Sequence, residues 1–438
     1  MDTRILHSSE IKRLWARDED HFNDIKSMRI APAKAQETFV AFANSDGGDL
    51  YVGIEDKRDS GERLVGFNNR EEANDLVALL LEQTEPAVEN VLVEFLETNG
   101  KGLIAHFGIP KSPKVHYTSA GDCFIRINAS KRKITGDRIT TLGYSKGAEP
   151  YERRALETIE IEDIVETDAL TDYMDRVESR LDPETFLRKQ RLLTKFEGVR
   201  VPNVGCALLF DDEPQATLNT RCAIKIYRLR TTEVEYKREH LSEMPTTVSG
   251  PIERSIAATI AKVAEFIDGA SFFDGDKMVK LKYPHEALKE ILVNAVIHRD
   301  YSLNDDIHVR VFDNRVEISS PGKLPGYMSI DNLYSERFSR NPTVVRMLHN
   351  LPDPVNHDIG EGLDTARNEL RKAGLVAPQF SEVGNAFVVT VRHQRLASIE
   401  DVVLDYFKDN PDGRITNKLV RQLSGEDDIN KVKKALQR

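Results

Sequence analysis

Only three cysteines, Cys123, Cys206 and Cys222, occur in 438 residues. They are too few and too scattered for a disulfide framework or a zinc site. No apolar run reaches the roughly eighteen residues of a membrane span, so no membrane partner is expected. The opening MDTRILHSSEIKRLW lacks the apolar stretch of a signal peptide, and a cytoplasmic protein is the expectation. No glycine-rich GxxxxGK(S/T) loop occurs, which excludes a motor of P-loop type. Positive charge is in deficit as well: 61 Lys and Arg against 72 Asp and Glu leave a net charge of −11. That argues against a protein that coats nucleic acid, while leaving room for a local basic patch.

Forty per cent hydrophobic and thirty per cent charged residues is the profile of a soluble globular chain. Its length implies about two to four domains. The most informative stretch is Tyr283 to Tyr301, YPHEALKEILVNAVIHRDY. Pro284 suits a first helical turn. Ala287, Leu288, Ile291, Leu292, Ala295 and Val296 recur at helical spacing with one buried face. Glu290 and Asn294, four apart, stack on one side of that helix. A carboxylate and an amide so placed suit a general base and a Mg2+ ligand; the spacing alone more readily fits an ordinary amphipathic helix with two exposed polar groups. Ile307 to Phe312, an Asp313-Asn314 turn and Arg315 to Ile318 then read as a β-hairpin. Asp358-Ile359-Gly360-Glu361-Gly362-Leu363 opens a further helical pattern, Asp364 to Ala373, whose glycines would let backbone amides approach an anion.

Helix with ExxxNA, hairpin, Pro-Gly turn, long loop, GxG and helix, in that order, resembles the GHKL ATPase fold of gyrase, MutL and the histidine kinases. It most resembles the divergent branch found beside AlbA_2 (Schlafen-type) domains in bacterial proteins classed as transcriptional regulators. The resemblance implies that Glu290 positions an attacking water and that Asn294 holds Mg2+ with ATP. It also implies that Gly322, Gly360 and Gly362 border the nucleotide and its lid. Ser320 stands where these enzymes usually carry an adenine-reading Asp. A hydroxyl that can donate or accept implies poor discrimination between ATP and GTP.

Upstream, Pro32 to Asn44 has helical apolar spacing, Ser45-Asp46-Gly47-Gly48 is a turn, and Leu50 to Ile54 reads as a buried strand. The string AFANSDGGDLYVGIED resembles the AlbA_2 signature, over roughly residues 10–147. Two functions compete there. From Lys101 to Lys146 nine Lys and Arg stand against two acids, Asp122 and Asp137. A local excess of seven is expected to meet phosphates of DNA or RNA through Lys111, Lys114, Arg126, Lys131, Arg132 and Lys133; a solvated loop fits the same count. Schlafen-type relatives that cleave RNA carry an acidic triad, and the resemblance places Glu19, Asp24 and Asp56 in it, with Lys26 following. Three carboxylates on one site would hold divalent ions for phosphodiester cleavage.

Residues 148–250 read as an acidic connector with Asp182 as a helix N-cap, Pro183 at N1, and two strands, Val204 to Phe210 and Arg221 to Leu229. Ile252 to Ile267 reads as an amphipathic core helix opening the domain 251–395. From 396 to the end, three short helical patterns, with Thr416 and Asp427 or Asp428 as caps, resemble an incomplete winged helix-turn-helix. Lys431, Lys433 and Lys434 would face a major groove, although nine basic and eight acidic residues from Arg395 onward fit a dimerising tail too. The expected fold is thus an α/β (α+β) multidomain protein: an AlbA_2-like domain over 1–147, the connector, a GHKL-like sandwich and a small helical tail. The expected function is a nucleotide-responsive, dimeric or higher-order nucleic-acid-binding regulator of transcription. The alternatives are an ATP-gated metal-dependent nuclease and a non-enzymatic scaffold.

Overall fold

The computed structural model describes residues 2–56, 62–98, 100, 102–274, 277–355, 362–393, 399–409, 413–424 and 429–437. It is a mixed α/β multidomain chain that divides into two compact units. One contains Met1–Glu149 with Pro325–Met328, the other Pro150–Leu324 with Ser329–Arg438. Among the described residues no helix is long and apolar enough to cross a membrane.

The first unit is built on a five-stranded sheet. Its order is Asp2–Ile5, Leu92–Glu97, Leu103–Ile109, Gly48–Val52, Asn23–Lys26. The outer pairs are parallel and the inner pairs antiparallel. Helix Pro32–Asn44 packs on one face, and nine of its residues are buried. Phe39, Phe42, Leu50, Phe95 and Phe107 meet there in one core. The helix ends because Gly47 turns the chain at φ +78°, where an added Cβ would lie 2.7 Å from Ile109 O. Only glycine fits that approach.

The second unit has a six-stranded sheet in the order Thr246–Val248, Ile224–Arg228, Ile307–Val311, Arg315–Pro321, Ala386–Arg392, Gln379–Val383. The expected hairpin is present, Val311 facing Val316 across the Asp313-Asn314 turn. Helices Ile252–Asp268 and His285–Ile297 pack together beside this sheet. Pro284 stands at the N-cap of the second helix, one place before the expected first turn.

Two readings of residues 148–250 are corrected. Val204–Phe210 is a fully buried helix rather than a strand. A seven-residue apolar run cannot be told from a strand by periodicity. Here the Asn203 side chain, accepting from Cys206 N at 3.0 Å, starts the helix. Nor is the stretch only a connector, because Ile224–Arg228 lies parallel to Ile307–Val311 inside the sheet. Asp182 does cap its helix, accepting from Thr185 N at 2.9 Å with Pro183 next in line. At the end of the chain, helices Ile399–Asp409, Asn417–Ser424 and Ile429–Ala435 gather around Ile399, Val420 and Val432. Thr416 caps the middle one through Leu419 N at 3.2 Å. Asp427 and Asp428 lie outside the described residues.

Candidate functional site

In the second unit, Glu290 and Asn294 share a face of helix His285–Ile297, Glu290 buried and Asn294 half-buried. Gly362, the first residue of helix Gly362–Lys372, lies against both. A Cβ on Gly362 would come to 2.6 Å from Glu290 Oε2 and 3.2 Å from Asn294 Nδ2. Two helices whose contact residues lie some seventy positions apart therefore converge, with a helix N-terminus on a carboxylate and an amide. Hard oxygen donors suit Mg2+, and the first amides of a helix suit phosphate, so these residues fit a Mg-nucleotide. Gly360 lies outside the described residues.

Ser320 and Gly322 belong to the other end of the helix. Ser320 Oγ is buried and donates to Ala295 O at 2.6 Å. Its one proton is thereby committed to the main chain, and the expectation of a hydroxyl free to donate or accept is corrected. Gly322 adopts φ +113° and backs onto Asp300 and Arg340. Those two form a buried ion pair at 3.5 Å. Arg340 and Asn341 lead into helix Pro342–His349, whose Thr343 and Val344 N–H groups donate to buried Glu152 at 2.7 and 2.9 Å. Asn341 Nδ2 in turn donates to Ile297 O and Arg299 O, both at 2.9 Å. The end of the Glu290 helix is thus pinned by residues some forty positions downstream, a link no local pattern announces.

In the first unit the acidic triad does not assemble. Lys26 Nζ lies 2.7 Å from Glu19 Oε1 and also pairs with Asp24 Oδ1. Arg126 Nη1 holds Asp24 Oδ2 at 2.5 Å. Burial would lower the Lys26 pKa, but Asp24 and Glu19 outweigh it and hold the ammonium protonated. Both carboxylates are neutralised by cations, while Asp56 is exposed. Among the described residues no group of three or more His, Cys, Asp or Glu is placed to hold a metal ion.

The basic stretch is largely paired. Lys114 meets Glu89 at 2.7 Å, Lys131 meets Glu37 at 3.0 Å, Lys133 meets Asp122 at 2.6 Å, and Lys111 lies 3.8 Å from Asp46. Three of those four acids stand outside residues 101–146, so a windowed charge count could not include them. Arg126 is 4% exposed and is a structural residue rather than a phosphate contact. Arg132 remains exposed, as do Lys431, Lys433 and Lys434 in the tail. Lys101 lies outside the described residues.

Lys146 is buried, and its Nζ donates to Ala43 O at 2.9 Å. Desolvation, helped by nearby Lys111 and opposed by Asp46, pulls its pKa down to about 7. The unfolded chain therefore binds more protons than the folded one between about pH 7 and the ordinary lysine value, and stability rises with pH there. Over pH 7 to 9 the first unit should gain up to about 1.4 kcal/mol per pH unit from this group. Urea denaturation of Lys146→Met should show that slope flattened; an unchanged slope would remove Lys146 as its source.

Two family models match the chain. Residues 19–135 match the model described as "Schlafen, AlbA_2". Residues 304–391 match the one described as "Putative ATP-dependent DNA helicase recG C-terminal". The second match starts after the helix that carries Glu290 and Asn294, so those two residues rest on geometry. No curated protein matches the chain. Among solved structures it is similar to the DIP2311 protein of Corynebacterium diphtheriae, at 17% identity and a TM-score of 0.44, covering 98% of this chain and 92% of that one.

Proposed function

We propose that the chain is a nucleic-acid-binding, ATP-using regulator. In this reading Mg-ATP binds along helix His285–Ile297 and nucleic acid is held by the first unit. The observation that carries the nucleotide half is the packing of Gly362 on Glu290 and Asn294. Bound Mg2+ would supply charge neutralisation on the phosphates. Asn294 would hold it, Glu290 would orient a water, and the amides at Gly362 would meet phosphate oxygens. The description of the family matched by residues 304–391 names an ATP-dependent DNA helicase, which supports both halves of the reading. The Schlafen AlbA_2 match supports the nucleic-acid half. Arg132, with Lys111, Lys114, Lys131 and Lys133 able to leave surface pairs of modest strength, would contact phosphates. Lys431, Lys433 and Lys434 of a winged-helix-like tail would add to them. A transcriptional role and a dimer belong to the same reading.

Calorimetry with Mg-ATP and anisotropy with labelled DNA and RNA, each with and without the other ligand, test it. Asn294→Ala should weaken Mg-ATP binding at least about tenfold, roughly 1.4 kcal/mol, and Glu290→Ala should keep binding while losing any turnover. Nucleic-acid affinity should fall with added salt and change when Mg-ATP is present. A wild-type protein that binds neither ligand would end the proposal.

A further inference from the structure

Helices Ile252–Asp268 and His285–Ile297 cover one face of the six-stranded sheet, and the buried Ile226, Val309 and Ile318 point to them. Alternation along the strands turns Lys225, Tyr227, His308, Arg310, Glu317 and Ser319 to the other face, where all six are half-buried. None of the six is aliphatic. An obligate protein contact buries a mostly apolar surface, which these positions do not supply.

Arg310 is held between two aromatic rings. Its Cζ lies 5.8 Å from the Tyr227 ring centroid and 5.7 Å from that of Tyr236, and its Nε donates to Tyr236 Oη at 2.8 Å. Tyr227 Oη bonds His308 Nδ1 at 3.0 Å, and His308 Nε2 lies 3.4 Å from Asp305 Oδ1. The loop that carries Tyr236 is anchored as well. Arg315 donates to Thr232 O and Glu233 O at 3.0 and 2.8 Å, and the Tyr236 ring packs edge-on against Phe312. Two tyrosines and an arginine are thus fixed before any ligand arrives.

The neighbouring charges are taken up by one another. Lys225 Nζ meets Asp306 Oδ2 at 2.9 Å. Glu317, directly opposite Arg310 in the ladder, turns instead to Arg315 Nε at 2.6 Å. Among the described residues the two Nη groups of Arg310 meet no carboxylate and no other acceptor. A guanidinium flanked by aromatic rings, with its fork open, offers a plane on which a base stacks and donors that a phosphate accepts. Duplexes hide their base faces, whereas a single strand exposes them. We propose that this sheet face binds single-stranded nucleic acid, a base stacking on the Arg310 and tyrosine group while a phosphate meets the Arg310 fork. The site lies outside the first unit and the tail, to which the reading above gives the nucleic acid, and it stands or falls separately from them.

The test is fluorescence anisotropy of the full chain with labelled oligo(dT), oligo(rU) and a duplex of equal length, on wild type, Arg310→Ala, Arg310→Lys, Tyr236→Ala and Arg132→Ala. Wild type should bind both single strands, since stacking tolerates either sugar. Arg310→Ala should weaken both about tenfold and Tyr236→Ala about fivefold, with duplex affinity unchanged. Arg310→Lys, which keeps the charge without the plane, should recover only part of the loss. Tyr236 is exposed, so its variant should melt like wild type and carries the test if Arg310→Ala folds poorly. Arg132→Ala, in the first unit, should instead weaken strands and duplex alike. Unchanged single-strand affinity in both Arg310→Ala and Tyr236→Ala would overturn the proposal, and a loss confined to Arg132→Ala would do so while the first-unit reading stands. Equal losses for strands and duplex would overturn the stacking contact. An altered sedimentation coefficient with strand affinity intact would make this face a contact between copies and overturn the proposal too. A wild type that binds duplex but neither strand would overturn this inference alone.

Discussion

Replacing Arg126 with alanine should destabilise the first unit by roughly 3–5 kcal/mol, the cost of breaking a buried ion pair from one side. The guanidinium is spent inside the fold. It holds Asp24 Oδ2 at 2.5 Å and donates to Asp20 O at 2.6 Å, Asn23 O at 2.9 Å and His21 O at 3.0 Å. It also lies 4.3 Å over the Phe42 ring. Removing it leaves Asp24, 3% exposed, with Lys26 as its remaining cation, and strips three carbonyls of a donor. Exposed Arg132, six residues on in the paired strand Ser130–Ile134, should change stability by no more than about 0.5 kcal/mol on the same substitution. Chemical denaturation separates the two. If instead Arg126→Ala unfolds like wild type and selectively loses nucleic acid, the residue is a phosphate contact after all. The double variant Asp24→Asn with Arg126→Met, which deletes both charges, should recover part of the loss, because the residual penalty is packing rather than an unpaired charge.

The contrast between Arg126 and Arg132 shows what a linear sequence discloses. Local patterns were legible. The i, i+3, i+4 spacing around Glu290 gives a helix, Asp313-Asn314 gives a hairpin, and Gly47-Gly48 gives a turn that only glycine can make. The convergence of Glu290, Asn294 and Gly362 was legible only through a family resemblance, since some seventy residues separate the helix from the glycine. What stayed hidden depends on partners remote in sequence. Lys131 and Lys114 counted as free cations until Glu37 and Glu89 were found beside them. Asp24 read as a metal ligand until Lys26 and Arg126 closed on it. Val204–Phe210 passed for a strand because burial on all sides erases periodicity. Ile224–Arg228 was legible as a strand, but its parallel pairing with Ile307–Val311, 83 residues on, was not.

Gly322→Ala should be among the most damaging single methyl additions in the second unit, at roughly 3–5 kcal/mol when strain and overpacking combine. Two independent costs meet there. The backbone sits at φ +113°, which an L side chain adopts only under strain of about 1–3 kcal/mol. The added Cβ would also lie 2.7 Å from Asp300 Cβ and closer still to Arg340 Nη1. Neither neighbour is free to yield. Asp300 and Arg340 are 1% and 2% exposed, and Arg340 Nη2 is tied to Lys323 O at 2.8 Å. Gly374 provides the comparison, because it has φ +72° and nothing within 4 Å of an added Cβ. Gly374→Ala should therefore cost only about 1 kcal/mol of backbone strain. Urea denaturation of both variants measures the difference, and equal costs would mean that the Asp300–Arg340 pair gives way easily.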